Sequence, residues 1–436
     1  MKVDNLVHPE KIHKRVYTDP DIFDIEMERI FAVAWIYIGH ESQVRNPGDF
    51  FCTNIARQPV VLTRHEDGKL KVLFNRCAHR GTSVVMSESG NVKNFRCCYH
   101  GWQYGTDGTL KSIPQSKGYS DFAKLVGNTK FGMAPVPRVQ NYRGFIFGSL
   151  SKNGPTLEDF LGPVRSSFDD LIDRAPQGEI EVAGGISRHL YKGNWKLIFE
   201  NLCDGLHPNC VHQSSIEAAQ EQDDFVFSDG AGEIGIRQMR QNGMPWEVWE
   251  DQVGIWAYPY GHCYLGDYHD DVKLTPGHSD PYFDEYVRAL EKNKGPKVTQ
   301  EILNVRRWNT NIYPTISFMS QFRQLRVIRP VSVDKTEVLG FCFRLKGAPN
   351  KMFQDTIRFA NITNATASPV LTDDLETYRR IGIGLMSQGN NWISTARGLG
   401  QDKEDGLGGW QGGDGLSELH IRNMFAAWVA YMSSGD

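Results

Sequence analysis

The chain has 436 residues, a formal net charge of −4, 40% hydrophobic and 23% charged residues. That is an ordinary globular composition with enough chain for two cores, since single cores rarely grow past roughly 250 to 300 residues. No long Lys/Arg run supplies a nucleic-acid footprint, and the longest apolar run near the N-terminus, residues 31–38, is far short of the roughly 20 residues a membrane span needs. The charged first residues lack a signal-peptide h-region, so the expectation is a cytoplasmic protein that binds neither nucleic acid nor membrane. Eight cysteines are too few for a disulfide framework in a chain this long, and Cys77, Cys97, Cys98, Cys210 and Cys263 each lie within three residues of a histidine. In a reducing compartment that pattern points to metal or redox chemistry.

Residues 1–30 are polar and charged, with a weak helical period over 22–32, and read as a lead-in helix. From Trp35 the texture changes to short β-rich runs at 35–39, 50–55, 59–64 and 70–74, with Glu66-Asp67-Gly68 as a hairpin signal. A small antiparallel β-domain begins here and closes around residues 145–150, with 151–155 as a linker. Inside it lie Cys77-Ala-His79 and Cys97-Cys98-Tyr99-His100, each just after a strand-like run, as two loop tips closing on one object would. Two thiolates and two imidazoles suit a Cys₂His₂ zinc site, or a Rieske [2Fe–2S] cluster with two Cys on one iron and two His on the other. Zinc fingers group Cys with Cys and His with His, whereas here each loop contributes one of each.

Residues 156–171 read as helix and 179–192 as a strand leading into the stretch 194–212. There Trp195, Ile198, Phe199, Leu202 and Leu206 recur at helical spacing and form a stripe to be buried. Glu200, Asp204 and His207 make a second, polar column, and His212 follows after Pro208 ends the regular turn. A buried carboxylate calls for a compensating cation or partner. Taken alone, the stretch suits a metal site and a structural polar cluster equally.

Farther on, Gly230-Ala-Gly232-Glu-Ile-Gly235 fits G-x-G-x-x-G by letter, but the following residues break within two turns, so a β-turn is expected rather than a dinucleotide site. Residues 310–345 alternate like long antiparallel strands. In 318–328, read as one strand, Phe318, Ser320, Phe322 and Arg326 share a face by period two; if that face lines a pocket, Arg326 is shaped to take a carboxylate bidentately, the alternative being an ion-paired surface arginine. Thr372 is a candidate N-cap for a helix with Asp373 and Asp374 in its first turn and Ile381, Ile383 and Leu385 to pack. Residues 395–415 are Gly-rich and loop-like, and 417–432 form a final amphipathic helix.

With Arg80-Gly81 after the first Cys/His pair and Gly101-Trp102 after the second, the sequence resembles the large (α) subunits of Rieske non-heme iron aromatic ring-hydroxylating oxygenases. The Pro often found after the family's second Cys is here Cys98, read as a packing residue; Cys203 and Cys210 are read as buried and inert. The resemblance implies an α+β fold, a small antiparallel-β Rieske domain plus a larger catalytic domain whose antiparallel sheet is covered by helices in a helix-grip, START-like arrangement. It implies residues 1–37 as a lead-in packing on the catalytic domain, 38–150 as the Rieske domain and 151–436 as the catalytic domain. Cys77, His79, Cys97 and His100 would hold the [2Fe–2S] cluster, and His207, His212 and Asp374 a mononuclear Fe(II), the second Asp of the doublet being chosen over Asp373, Glu376 or Asp402. Asp204 would bridge His207 to His100 of a neighbouring subunit, with Asn201 in a supporting role and Leu202, Leu206, Phe322 and Arg326 at the substrate.

The activity implied is that of a terminal oxygenase component. O₂ and electrons from NAD(P)H, delivered by a separate reductase with or without a ferredoxin, would mono- or cis-dihydroxylate an aromatic ring, that of an aromatic carboxylate. The same iron site also serves hydroxylation or demethylation of a neutral substrate. The assembly implied is a homotrimer, with or without a small β subunit as α3β3. A Rieske electron carrier would leave the Asp204, His207, His212 and Asp374 set unexplained, and a zinc-stabilised binding protein would make both clusters structural.

Overall fold

The computed structural model describes residues 3, 5–119, 122–127, 129–221, 233–268 and 281–434. It divides into two compact units, Met27–Glu158 on the one hand and Met1–Glu26 with Asp159–Asp436 on the other. The division falls after Glu26 rather than after residue 37, because the strand Ile36–His40 pairs with Phe145–Ser149 inside the smaller unit.

In the smaller unit the expected β-rich runs form antiparallel sheets. Leu70–Phe74, Gln58–Arg64, Asp49–Ile55 and Ser89–Asn91 make one of four strands, and Leu110–Ser112, Gln103–Gly105 and Asn94–Arg96 one of three. Between them Phe50, Val61, Leu73, Phe95 and Trp102 build a core that includes the thiols of Cys77 and Cys97. Cysteine buried beside aromatic and aliphatic side chains is ordinary; two on adjacent loop tips in one core are not.

The larger unit is organised on a nine-stranded antiparallel sheet. Its order is Ile180–Lys192, Lys335–Leu345, Gln324–Ser332, Ile316–Met319, Val305–Ile312, His262–Tyr268, Gly254–Tyr258, Trp410–Gln411 and Lys403–Glu404. Helices cover it: Asn350–Thr363 packs on Lys335–Leu345, Leu371–Leu385 on Ile180–Lys192, and Leu419–Ser433 on Gly254–Tyr258. In the last of these Met424, Trp428 and Met432, one helical turn apart, are buried, so the expected amphipathic helix buries the stripe its spacing marks. Glu26 is fully buried at the meeting of three elements. It accepts from the indoles of Trp195 at 2.8 Å and Trp428 at 2.7 Å and pairs with the equally buried Lys196 at 2.6 Å. Both oxygens of that buried carboxylate therefore have a donor, which offsets much of the cost of burying it.

Several expectations are corrected. Residues 194–212 are not one helix: Lys196–Leu202 ends at Cys203, Pro208–Val211 makes a single turn, and Gln213–Gln220 follows. The cause is local. Asp204 Oδ1 accepts the Leu206 N–H at 2.7 Å in place of a helical bond, and Pro208 starts a turn instead of ending one, having no N–H to lose at a first helical position. Residues 318–328 are a hairpin and not a strand: Ile316–Met319 turns through Arg323, at φ +54°, into Gln324–Ser332. The helix Leu371–Leu385 has Val370 at its N-cap, and Ser368 Oγ, not Thr372, accepts the Leu371 N–H at 3.1 Å. Ile381 and Ile383, expected to pack, are exposed. A helix, Glu233–Asn242, begins inside the G-x-G-x-x-G letters and contains the last of its glycines, Gly235; Gly230 to Gly232 themselves lie outside the described residues.

Candidate metal centres

The two Cys/His loops of the smaller unit are copies of one another. The Cys77 N–H donates to Thr82 O and the Gly81 N–H to Cys77 O; the Cys97 N–H donates to Trp102 O and the Gly101 N–H to Cys97 O, all within 2.8 to 3.1 Å. The turn closes because Gly81 and Gly101 take φ of +78° and +72°, a left-handed conformation that costs a side-chain-bearing residue about 1–2 kcal/mol. Both thiols are 2% exposed. The rings of His79 and His100 lie 4.5 Å apart, and His79 stacks on Trp102 at 5.0 Å. The Tyr104 hydroxyl sits 3.1 Å from Cys77 Sγ and accepts the Ala78 N–H at 3.1 Å, and burial raises its pKa, so it keeps a proton to donate to sulfur. His79 Nδ1 is buried with no partner among the described residues, as a ligand atom aimed at an absent group would be. Cys98, expected to pack, is exposed at the tip of the second loop together with Tyr99 and His100.

Each loop supplies one thiol and one imidazole, and a two-thiol, two-imidazole set suits a two-iron cluster. Elsewhere among the described residues, the donor atoms of His207, His212 and Asp374 all lie within 4.8 Å of one another.

The second centre is built in the larger unit where the chain breaks at Cys203. Nε2 of His207 and Nε2 of His212 face Asp374 Oδ1 at 3.8 and 3.5 Å, and the two rings stand 5.6 Å apart at 76°. Each imidazole has a carboxylate behind it. His212 Nδ1 bonds Asp373 Oδ2 at 3.4 Å, which fixes the tautomer that leaves its Nε2 free for a metal, and His207 Nδ1 faces Asp204 Oδ2 at 3.5 Å, outside hydrogen-bond geometry. Asn201 donates to Asp374 Oδ1 at 3.1 Å. Burial raises the Asp374 pKa against the opposing pull of His207 and His212, and a cation between the three would offset the cost of burying that carboxylate. Two His and one carboxylate on one face, with room opposite, is the donor set of non-heme iron that handles O₂.

Of the polar column, Glu200 turns away. It takes the Tyr17 hydroxyl at 2.8 Å, and burial lifts its pKa to about 7. Asp373, weighed by sequence as an alternative ligand or as a complement to the helix dipole, instead backs the His212 ring. Cys203 is buried as expected, and Cys210 is exposed on the short turn Pro208–Val211.

His207, His212 and Asp374 open onto a cavity of about 100 Å³. Leu202, Phe322 and Arg326 line it with them, Phe322 stacked on Phe359 at 3.8 Å. Leu206 packs instead into the core around Trp249. Phe318 goes elsewhere too, against Phe168 at 4.7 Å. Arg326 is 8% exposed, so it is no surface residue. It donates to Asn309 at 2.5 Å and more weakly to Asn364 and Ser317 at 3.4 Å. No carboxylate among the described residues pairs with it, and burial pulls its pKa down to about 10. Sequence reasoning missed Asn309 and Asn364, which lie on a strand and at a helix end with no motif around them.

Comparison with known proteins gives two family matches, the Rieske [2Fe-2S] domain over residues 34–135 and the ring hydroxylating alpha subunit catalytic domain over 174–434. Toluate 1,2-dioxygenase subunit alpha of Pseudomonas putida is 33% identical over 404 residues, 90% of this chain and 84% of that one. Anthranilate 1,2-dioxygenase large subunit of Acinetobacter baylyi is 33% identical over 397 residues, 90% and 81%. Among solved structures, naphthalene 1,2-dioxygenase from Rhodococcus sp. bound to indole matches with a TM-score of 0.78 at 26% identity, covering 98% of this chain and 95% of that one.

Proposed function

The chain belongs to the ring-hydroxylating alpha-subunit family, with a Rieske domain and a catalytic domain, and on that footing we propose that it is the terminal oxygenase that hydroxylates a one-ring aromatic carboxylate. The observation that carries the substrate class is Arg326, a buried guanidinium without a carboxylate partner in the cavity that His207, His212 and Asp374 open onto. A buried unpaired cation costs several kcal/mol, and a substrate carboxylate offsets that cost with bidentate, charge-assisted hydrogen bonds. Relatives named for toluate and anthranilate, both aromatic acids, support the same class. The cavity, about 100 Å³, is below the roughly 150 Å³ that takes benzene, which favours one ring over fused rings.

In this reading Cys77, His79, Cys97 and His100 hold the cluster within residues 38–150, and His207, His212 and Asp374 hold iron within residues 151–436, with residues 1–37 as the lead-in. Iron so held, with electrons from the Rieske cluster, supplies the activation of O₂. The protein's own groups do the rest. Arg326 orients the ring by its carboxylate, Leu202 and Phe322 with its stacked Phe359 exclude water, and Asn201 steadies Asp374. Asp204, with Oδ2 3.5 Å from His207 Nδ1, would accept from it and, in a trimer, from His100 of the partner subunit, holding both imidazoles in place. The electrons come from NAD(P)H through a separate reductase, with or without a ferredoxin, and the setting is cytoplasmic. No helix among the described residues is long and apolar enough to cross a membrane.

The test is turnover of a panel of aromatic acids and their neutral analogues under isotopically labelled O₂ with a surrogate reductase. Labelled hydroxylated acids are the expected products. Label entering only the neutral compounds would overturn the substrate class, and no label in any product would overturn the oxygenase reading.

A further inference from the structure

Resting on the reading of this cavity as an aromatic-acid site, we infer that its substrate carries a second polar group, a ring hydroxyl, and that Gln238 with the indoles of Trp249 and Trp308 recognises it. Buried polar atoms in folded proteins nearly always have a partner, and each exception calls for an explanation. This cavity concentrates five, and one of them, His207 Nδ1, has Asp204 Oδ2 at 3.5 Å. The other four, Gln238 Oε1, Trp249 Nε1, Trp308 Nε1 and Arg326 Nε, are all buried without a partner among the described residues, and all four residues line it. A carboxylate on Arg326 accounts for the last and leaves the other three.

Those three are complementary in kind. Gln238 sits on the helix Glu233–Asn242 and spends its Nε2 on Asn242 Oδ1 at 3.0 Å, which leaves its carbonyl oxygen as an acceptor in need of a donor. Trp249 and Trp308 meet edge to face at 5.1 Å, are 2% and 8% exposed, and offer donors in need of an acceptor. A tryptophan this deep ordinarily finds a partner for its N–H. A methyl or a halogen on the ring would leave the Gln238 oxygen unpaired, and a ring amine donates well but accepts poorly. A phenolic hydroxyl does both, giving its proton to Gln238 Oε1 and accepting from an indole. A site built to bond a hydroxyl discriminates strongly against the analogue that lacks it, because its own buried groups are then left bare.

The experiment is equilibrium binding of benzoate, the three monohydroxybenzoates and phenol to the intact, cofactor-loaded protein and to its Gln238→Leu and Trp308→Phe variants. The readout is the ratio of affinities within each protein, which a partly inactive preparation leaves unaltered. The expected result is one hydroxybenzoate isomer bound about tenfold or more tighter than benzoate, with Gln238→Leu bringing that ratio close to one and Trp308→Phe reducing it. If benzoate binds well and no hydroxy isomer binds tighter, or if the ratio survives both substitutions, the hydroxyl assignment falls while the aromatic-acid reading stands. If phenol binds as tightly as every acid, the carboxylate reading falls and takes this inference with it.

Discussion

Asn201 donates its Nδ2 hydrogen to Asp374 Oδ1 across 3.1 Å, joining the first helix of the iron site to the last, 173 positions further along the chain. The bond steadies the same carboxylate oxygen that the two Nε2 atoms face at 3.8 and 3.5 Å. Groups that orient a ligand are worth about 10- to 100-fold in metal affinity when removed. Asn201→Ala should therefore weaken iron binding at the mononuclear site by that factor and leave the cluster's visible spectrum intact. Titration of the iron-depleted protein with Fe(II) measures it.

Arg326 is predicted to set the preference for acids. Loss of a charge-assisted bidentate contact costs on the order of 1.5–3 kcal/mol per bond. Arg326→Leu should lower kcat/KM for an aromatic carboxylate by about 100-fold or more and change that for its neutral analogue far less. Equal losses on the two would mean that the arginine holds the cavity together and not the substrate.

The site's first helix depends on a buried charge some distance from the iron. Glu26 compensates Lys196 and takes both indole protons. Breaking a buried pair by removing one partner costs about 3–5 kcal/mol. Glu26→Ala should therefore lower the thermal midpoint substantially, whereas a paired change of Glu26→Leu with Lys196→Met should recover much of the loss. Thermal unfolding followed by circular dichroism separates these outcomes.

Tyr104 is predicted to tune the cluster. Its hydroxyl, 3.1 Å from Cys77 Sγ, withdraws charge from that sulfur and favours the reduced state. Hydrogen bonds to cluster sulfurs are among the terms that set reduction potential. Tyr104→Phe should lower the potential while the cluster content stays unchanged, as a redox titration monitored by EPR would show.

Much of this was legible in the residues themselves. The two loops were readable because each packs its ligands, its Gly and its neighbour into five or six positions, and local motifs survive any tertiary context. His207 and His212 could be marked as ligands, yet the helix assumed beneath them was wrong. Apolar spacing continues through Leu206, and nothing in that spacing announces that Asp204 will take a backbone N–H or that Pro208 will open a new turn. The same limit applies at Arg326, whose hairpin depends on the turn ending at Arg323, where no Gly marks the positive φ. Asp374 came from resemblance, as did Asn201 in a supporting role, whereas Asp373 became distinct as the partner of His212 only when helices far apart in sequence met. Gln238, Trp249 and Trp308 carried no signal at all, because an unpaired atom is a property of the folded state.

The central claim is that one chain holds a two-iron cluster in one unit and a single iron in the other. Iron and acid-labile sulfide analysis of the wild type and of Asp374→Ala tests it most directly. The wild type should give roughly three irons for two sulfides, and the variant should lose the odd iron alone, falling to about one to one with its Rieske EPR signal retained. Zinc without sulfide in the wild type, or an iron-to-sulfide ratio that Asp374→Ala leaves unchanged, would contradict the account.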